Sequence, residues 1–433
     1  MNDQTDDNND IAQRYPSIEV NGLEITDYYY NGDDEEDSSS EIHSIEQFLS
    51  RNHEFRQNMV TGKLEFRKKG ANTKFQPLTD RDENTFWRRM QKDKTLKDAK
   101  VTSFSLSYLR GILYSDFSKI YDPLKEYVES LIPWDQSTDY IAQLAQTVKT
   151  DNDELFVRLL RKWLVASVAS LVNPEIVNQT ALVFSGKQGI GKTSWILRLA
   201  PQQLKDYVFS GTINPNNKDT LIYLSSCFLI NLDELENLNN SEVGALKEVI
   251  TKPQIKMRRT YARNAEDLPR RASFAGSVNS SQFLNDTTGS RRFLCFEVFE
   301  LDYNHTIDMD KVYAQAYALY MQGYQHWLSL EDIAELEASN RKFQKLTTEE
   351  ELITEMFLPA KEGDRGCLLY SATQIAEYFA SNINGYTINE ATTQRIGRTL
   401  KKLGYQTYKK GGAQKYALKL KSTDTTNHAD SIG

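Results

Sequence analysis

Residues 184–195 read FSGKQGIGKTSW, and within them Gly186, Gly191, Lys192 and Thr193 stand at the spacing of a loop that wraps a phosphate chain. Glycines let backbone N–H groups close around a β-phosphate, a lysine neutralises charge on the β- and γ-oxygens, and a threonine hydroxyl ligates Mg²⁺. The candidate nucleotide-binding set is therefore Gly186, Lys187, Gln188, Gly189, Ile190, Gly191, Lys192, Thr193 and Ser194, with ATP and Mg²⁺ as the expected cofactors. Hydrolysis needs carboxylates on a neighbouring strand, and the run CFLINLDELENL ends an apolar stretch at Asp233 and Glu234. Asp233 is placed to hold a metal and Glu234 to act as base for the attacking water. A second apolar run, RRASFAGSVN, closes at Asn279, an amide suited to sensing a γ-phosphate or simply to ending a strand in a turn. Next, DTTGSRRFLCFEV carries Arg291 and Arg292. Either one, projected at a neighbouring subunit's γ-phosphate, is worth roughly 10³ or more in rate; the other reading is a solvated basic turn.

These groups have to be held by strands and helices, and the flanking pattern supplies them. QTALVFSG is a continuous apolar run ending at glycine, which marks a buried strand, and TSWILRLA continues as a helix. Upstream, DELFVRLLRKWLVASVASLV (153–172) is a long apolar helix, and DKVYAQAYALYMQGYQHWLSL (310–330) contains another. The segment YDPLKEYVESLIPWD (121–135) looks like a packed connector. Residues 42–135 form an N-terminal α+β or helical module: a hairpin around Thr61-Gly62, then capped helices in TDRDENTFWRRMQKD and SFSLSYLRGILYSDF. The ATPase core is placed at 136–345.

Two stretches could touch nucleic acid. Between the acidic pair and Asn279 lie Lys252, Lys256, Arg258, Arg259, Tyr261 and Arg263, a basic segment with one aromatic ring for stacking; a solvated loop or an inter-subunit contact is the alternative. Residues 346–421 read helix, helix, basic hairpin, the plan of a winged helix. Its second helix carries Arg395, Arg398, Lys401 and Lys402, and its hairpin Lys409 and Lys410. The alternative is a winged helix that docks protein.

Composition limits the rest. Apolar residues make up 39% and charged residues 26% of the 433, a globular balance, and no apolar run is long enough to span a bilayer. The net charge of −8 is uneven: residues 1–41 hold thirteen acids against Arg14, leaving +4 for the remainder. That segment reads as an acidic disordered tail, and 422–433 as a second, polar one. No export signal is visible and the location expected is cytoplasmic. Cys227, Cys295 and Cys367 have no paired spacing, so neither a disulfide framework nor a zinc site is expected.

The ordered set of phosphate loop, acidic pair, Asn279 and double arginine resembles the virulence-associated protein E family and, more broadly, the superfamily 3 replicative helicases of viruses and mobile elements. YDPLKEYVESLIPWD, INLDELENL, RRTYARNAEDLPRRASFAGSVN, FLNDTTGSRRF and VYAQAYALY carry the resemblance. It implies an α/β chain with a P-loop AAA+-like core, working as a homo-oligomeric ring, a hexamer, with ATP sites between subunits and single-stranded or forked DNA in the pore. It assigns Gly186 to Thr193 as Walker A, Asp233 and Glu234 as Walker B, Asn279 as sensor and Arg291 or Arg292 as finger. No primase segment is evident, which leaves any primer-making partner on another chain. Two other classes stay open: a nucleotide or small-molecule kinase, which Glu234 and the arginine pair disfavour, and a DNA-associated ATPase switch that does not unwind. A GTPase is weaker, because NNKD at 216–219 lacks the N-K-x-D spacing.

Overall fold

The structure is a computed structural model. It describes residues 19–20, 23–24, 35–70, 73–101, 103–214, 217–233, 235, 240–258, 264–279, 282–284, 290–410 and 412–421. The chain divides into two compact units, Met1–Asp122 and Pro123–Gly433.

In the first unit, strands His53–Asn58 and Leu64–Lys68 form the expected hairpin, with Gly62 at φ 71° in the turn. Short strands Gln76–Pro77 and Lys119–Tyr121 complete a four-stranded sheet. Helices pack against it. Asp80–Met90 starts at a reciprocal capping box between Thr79 and Asp82, and Leu106–Leu113 is capped by the Ser105 hydroxyl. Ile45, Leu49, Phe55, Phe86, Leu109 and Leu113 form the core between them. One boundary departs from expectation: a helix spans Glu35–Asn52, starting inside the stretch read as disordered tail. Ile45 and Leu49 of this helix are fully buried, which anchors its C-terminal half.

The second unit begins at Pro123, not at residue 136. The reason is packing: in helix Pro123–Glu129, Leu124, Tyr127 and Val128 are buried, and the Tyr127 hydroxyl bonds Asp310 at 2.7 Å. Its central sheet has six strands: β1 (Val148–Thr150), β2 (Ala181–Ser185), β3 (Val208–Gly211), β4 (Leu229–Asp233), β5 (Ser273–Val278) and β6 (Phe293–Leu301). Their order is β1-β6-β2-β5-β4-β3. All neighbours are parallel except the β1–β6 edge pair. β2 is buried along its whole length, which explains its unbroken apolar run. Gly276 of β5 is required by close approach, since a Cβ there would sit 2.8 Å from the Leu232 carbonyl oxygen on β4.

Helix Asp153–Val172 packs on this sheet with most of its circumference buried, and Trp163 Nε1 donates to the Phe274 carbonyl of β5 at 3.1 Å. Each large apolar side chain it buries contributes roughly 1.5–3 kcal/mol. Helix Met309–Met321 lies against it. No helix among the described residues is long and apolar enough to cross a membrane.

Residues from Thr348 onward fold around their own core of Ile353, Phe357, Ile375, Phe379, Ile396, Leu400 and Tyr416. Helices Thr348–Met356, Ala372–Asn382 and Glu390–Lys402 surround strand Ala413–Leu420, which pairs with Phe357–Pro359, Leu368–Tyr370 and Thr407–Lys410.

Candidate nucleotide site and nucleic-acid surfaces

Between β2 and helix Lys192–Arg198 the chain turns through Gly186, Gly189 and Gly191, at φ 154°, 84° and 98°. Two of them are also held by packing. A Cβ on Gly186 would lie 2.5 Å from the Val298 carbonyl oxygen of β6, and one on Gly191 would enter the Tyr303 ring. Lys192, only 5% exposed, turns its ammonium back across the loop to the carbonyls of Gly186 (2.7 Å) and Lys187 (2.8 Å). Its third neighbour is Asn279 Oδ1 at 3.3 Å, so the lysine and the amide expected to sense phosphate do meet. Thr193 Oγ1 lies 3.2 Å from Ser277 Oγ, on the strand that leads to Asn279.

β4 brings Asp233 to the same edge of the sheet. The carboxylate is held from two sides: Asn231 Nδ2 donates to Oδ1 at 2.8 Å and Ser210 Oγ to Oδ2 at 3.2 Å, while Asn231 also reaches Ser210 at 2.8 Å. Asn231 is fully buried, and its Oδ1 has no hydrogen-bond partner among the described residues. The sequence reading overlooked Asn231, Ser210 and Ser277. A signal existed for Asn231: it is a polar residue inside LINLD, two positions from Asp233, and so on the same face of the strand. Glu234 lies outside the described residues. Thr193 and Asp233 offer a hydroxyl and a carboxylate oxygen, the hard donors that Mg²⁺ takes.

Arg291 and Arg292 are not in this group. They precede β6, whose Phe293 pairs with Ala181, the first residue of β2, so they lie at the opposite end of the sheet from the phosphate loop. The five residues of β2 put about 16 Å between the two ends. Arg291 is exposed; Arg292 is half-buried, and its Nε has no partner among the described residues.

Beside the outer flank of helix Lys192–Arg198 runs a cavity of 940 Å³ whose walls include Ser194, Arg198, Ser210 and His305. His305 is 3% exposed and neither ring nitrogen has a partner among the described residues. Burial, then the Arg198 guanidinium, hold its pKa below the ordinary value, so the ring is neutral near pH 7. The Cys227 and Cys295 thiols are poor nucleophiles by contrast, burial raising both and pushing Cys227 up to about 11.

Of the expected nucleic-acid contacts, Lys252, Lys256 and Arg258 lie on or beside a hairpin of strands Gln254–Met257 and Glu266–Pro269. Lys252 pairs with Glu248 at 3.8 Å, and Lys256 faces Asp267 across the ladder. Arg259, Tyr261 and Arg263 lie outside the described residues. On helix Glu390–Lys402 the cations divide by whether they have an ion-pair partner. Arg395 bonds Glu349 at 2.9 Å and Lys402 bonds Glu350 at 2.8 Å, both acids belonging to helix Thr348–Met356. Arg398 and Lys401 are exposed and form no ion pair among the described residues. Lys409 is exposed, and Lys410 lies 3.9 Å from Glu362.

The family profile described as Virulence-associated protein E-like domain matches residues 128–345, half of the chain and the whole of the central sheet. The chain belongs to this family. The VapE-like domain thus contains the phosphate loop, Asp233, Asn279 and the arginine pair, while the units on either side lie outside the match. No curated protein matches the chain. Two solved structures, described as "The apo structure of NrS-1 C terminal region (305-718)" and "The A form apo structure of NrS-1 C terminal region-CTR(305-718)", are 13% identical to it. Each match covers 88% of this chain and 99% of the other, with TM-scores of 0.43 and 0.45.

Proposed function

We propose that the chain is an ATP-driven motor on DNA, a superfamily 3-like AAA+ ATPase that works as a hexameric ring in replication of a mobile element or phage. One observation carries the reading: Lys192, Thr193, Asn279 and Asp233 converge at one end of three adjacent parallel strands, β2, β5 and β4, while Arg291 and Arg292 stand at the other end of the sheet. The first group neutralises and orients a triphosphate. An arginine about 16 Å from its own loop serves a phosphate only if that phosphate belongs to a neighbour, which is the geometry of a ring with shared sites. Arg291, the exposed member of the pair, is the finger in this reading.

The strand order supports the same class, because β5, bearing the sensor amide, lies between the loop strand and the acidic strand. Lys192 would leave the loop carbonyls for the β- and γ-oxygens, and Asn279, already 3.3 Å from it, would orient the attacking water with Glu234 as base. Thr193 and Asp233 would hold Mg²⁺, which would supply neutralisation of phosphate charge. The 940 Å³ cavity beside Ser194 has room for the nucleoside. DNA would be gripped by the Gln254–Pro269 hairpin in the pore and by a winged helix at 346–421.

The test is steady-state ATP hydrolysis by the purified protein with and without single-stranded and forked DNA, with Glu234→Gln as control. DNA-stimulated turnover that the variant abolishes is the expected result, followed by strand displacement on the fork. Turnover indifferent to DNA defeats the motor, and no turnover defeats the ATPase.

A further inference from the structure

The first unit carries an excess of positive charge that its own acids do not absorb. Residues 42–122 hold sixteen Lys and Arg against ten Asp and Glu. Five of those acids are already taken: Glu54 by Arg67, Glu65 by Arg56, Asp80 and Glu83 by Arg110, and Asp93 by Arg51. The remaining cations are unevenly placed. Arg88, Arg89 and Lys92, at the end of helix Asp80–Met90 and just beyond it, line a cleft of 320 Å³ with Phe48, His53 and Phe86. Lys68 stands directly opposite His53 in the strand pair. All four cations are exposed, and none forms an ion pair among the described residues.

Their field is registered by the group they surround. The His53 ring packs edge-on against Phe86 at 4.9 Å, and its pKa lies below the ordinary value through burial first, then the charges of Arg89 and Lys68. Asp93 is the one carboxylate in the cleft wall. It is occupied by the N–H groups of Thr95 and Leu96 as well as by Arg51, so it does not cancel the positive charge.

We infer that this cleft binds the phosphate backbone of nucleic acid, independently of base sequence, as a second grip remote in sequence from the VapE-like domain. Arg88 and Arg89 stand in the last turn of the helix and Lys92 just past its C-cap, Gln91, so the three charges spread around the helix end. Lys68 extends the positive strip to the end of strand Leu64–Lys68. Such a strip is longer than one phosphate group and suits a polymer of phosphates better than a single small anion. Exposed guanidinium and ammonium groups without counter-ions take up phosphate oxygens with release of condensed cations, which makes the binding steeply salt-dependent.

The experiment uses the full chain and a labelled single-stranded oligonucleotide, with affinity measured by anisotropy across a salt series. In the R88Q/R89Q/K92Q protein, three lost phosphate contacts at about 0.7 each lower the slope of log K against log salt by about 2, with an affinity loss of about tenfold or more at low salt. The comparison protein is K94Q/K97Q/K100Q, which removes the same charge from exposed positions of the same unit outside the cleft and keeps the wild-type slope. Unchanged thermal melting in both proteins shows that the fold is intact. The inference is overturned if the cleft variant retains wild-type affinity and slope, if the comparison variant loses as much, or if the wild-type protein does not bind the oligonucleotide.

Discussion

Asn231 is a fully buried amide whose two donors hold Ser210 and Asp233 and whose oxygen has no hydrogen-bond partner among the described residues. An arrangement that leaves a buried acceptor unmet costs about 1–3 kcal/mol, and what it secures here is the direction of one carboxylate. Asn231 is therefore a positioning residue for Asp233. Groups of this kind typically change metal affinity or activity by about 10- to 100-fold when removed. Asn231→Ala should accordingly cut ATP turnover by about that factor and raise the Mg²⁺ concentration needed for half-maximal rate, while affinity for a fluorescent ATP analogue without Mg²⁺ stays near wild type. Equal loss in both assays would mean that Asn231 supports the fold and not the carboxylate. Asn231 also shows why sequence reading stops short at this scale. Gly186, Lys192 and Thr193 are recognisable because the spacing along one loop reports the chemistry, whereas the partnership of Asn231 with Ser210 depends on β3 and β4 being neighbours. Asp233 and Asn279 were legible as strand-end polar residues; the Thr193–Ser277 contact, which joins two strands, was not.

The strands and helices were legible wherever burial was one-sided or complete, as in the runs that became β2, helix Asp153–Val172 and helix Glu390–Lys402. What a helix does with its charged face was not, since that depends on the neighbour it meets. On helix Glu390–Lys402 all four cations looked equivalent in sequence, yet Arg395 and Lys402 are committed to Glu349 and Glu350. Double replacement of Arg398 and Lys401 by alanine should therefore weaken DNA binding and reduce its salt slope by about 2 on duplex DNA, near 0.9 per phosphate. Replacing Arg395 and Lys402 instead should lower the melting temperature, with a smaller effect on the slope. If the second pair gives the larger change in slope, the ion pairs open on binding and the division into free and committed cations is wrong. A second consequence concerns helix Asp153–Val172, which Lys162 and Arg158 tie to Asp332 and Arg161 ties to Asp139. Burial opposes ionisation of both carboxyls. Hydrogen bonds from Ser329 and the charge of Lys162 at Asp332, and hydrogen bonds from Gln315 and Arg161 at Asp139, outweigh it and hold both pKa values below the usual range. A depressed folded pKa gives stability that is complete above the unfolded value near 3.9 and is lost as pH falls through the folded value. Fluorescence of buried Trp163 should thus stay constant down to about pH 4 and change below it, with a shallower acid dependence in Asp332→Asn. A transition well above the carboxylate range would point to His305 or His326, whose pKa values burial lowers, and not to these pairs.

For the whole molecule, the separation of Arg291 from the phosphate loop decides whether a lone chain can be a complete enzyme. Both ends of the sheet belong to one rigid set of parallel strands, so no rotamer of Arg291 carries its guanidinium across the length of β2 to Lys192. In the proposed ring a single chain would hold two half-sites, and ring closure would complete each with the neighbour's arginine. This makes two inactive proteins complementary. Lys192→Ala removes the loop lysine but leaves Arg291; Arg291→Ala does the reverse. Each alone should lose about 10³-fold or more in turnover if the arginine acts as a finger. Mixed in equal amounts and allowed to exchange subunits, they should regain activity, because about a quarter of the interfaces pair an intact loop with an intact arginine when mixing is random. Recovered turnover should appear only after exchange, and should fall when the mixture is diluted enough to dissociate the assembly. If the mixture stays as inactive as its components while sedimentation shows mixed oligomers, the arginine does not work across the interface. If Arg291→Ala alone keeps wild-type turnover, the same experiment repeated with Arg292→Ala decides between the two arginines, and failure of both removes the shared site from the mechanism.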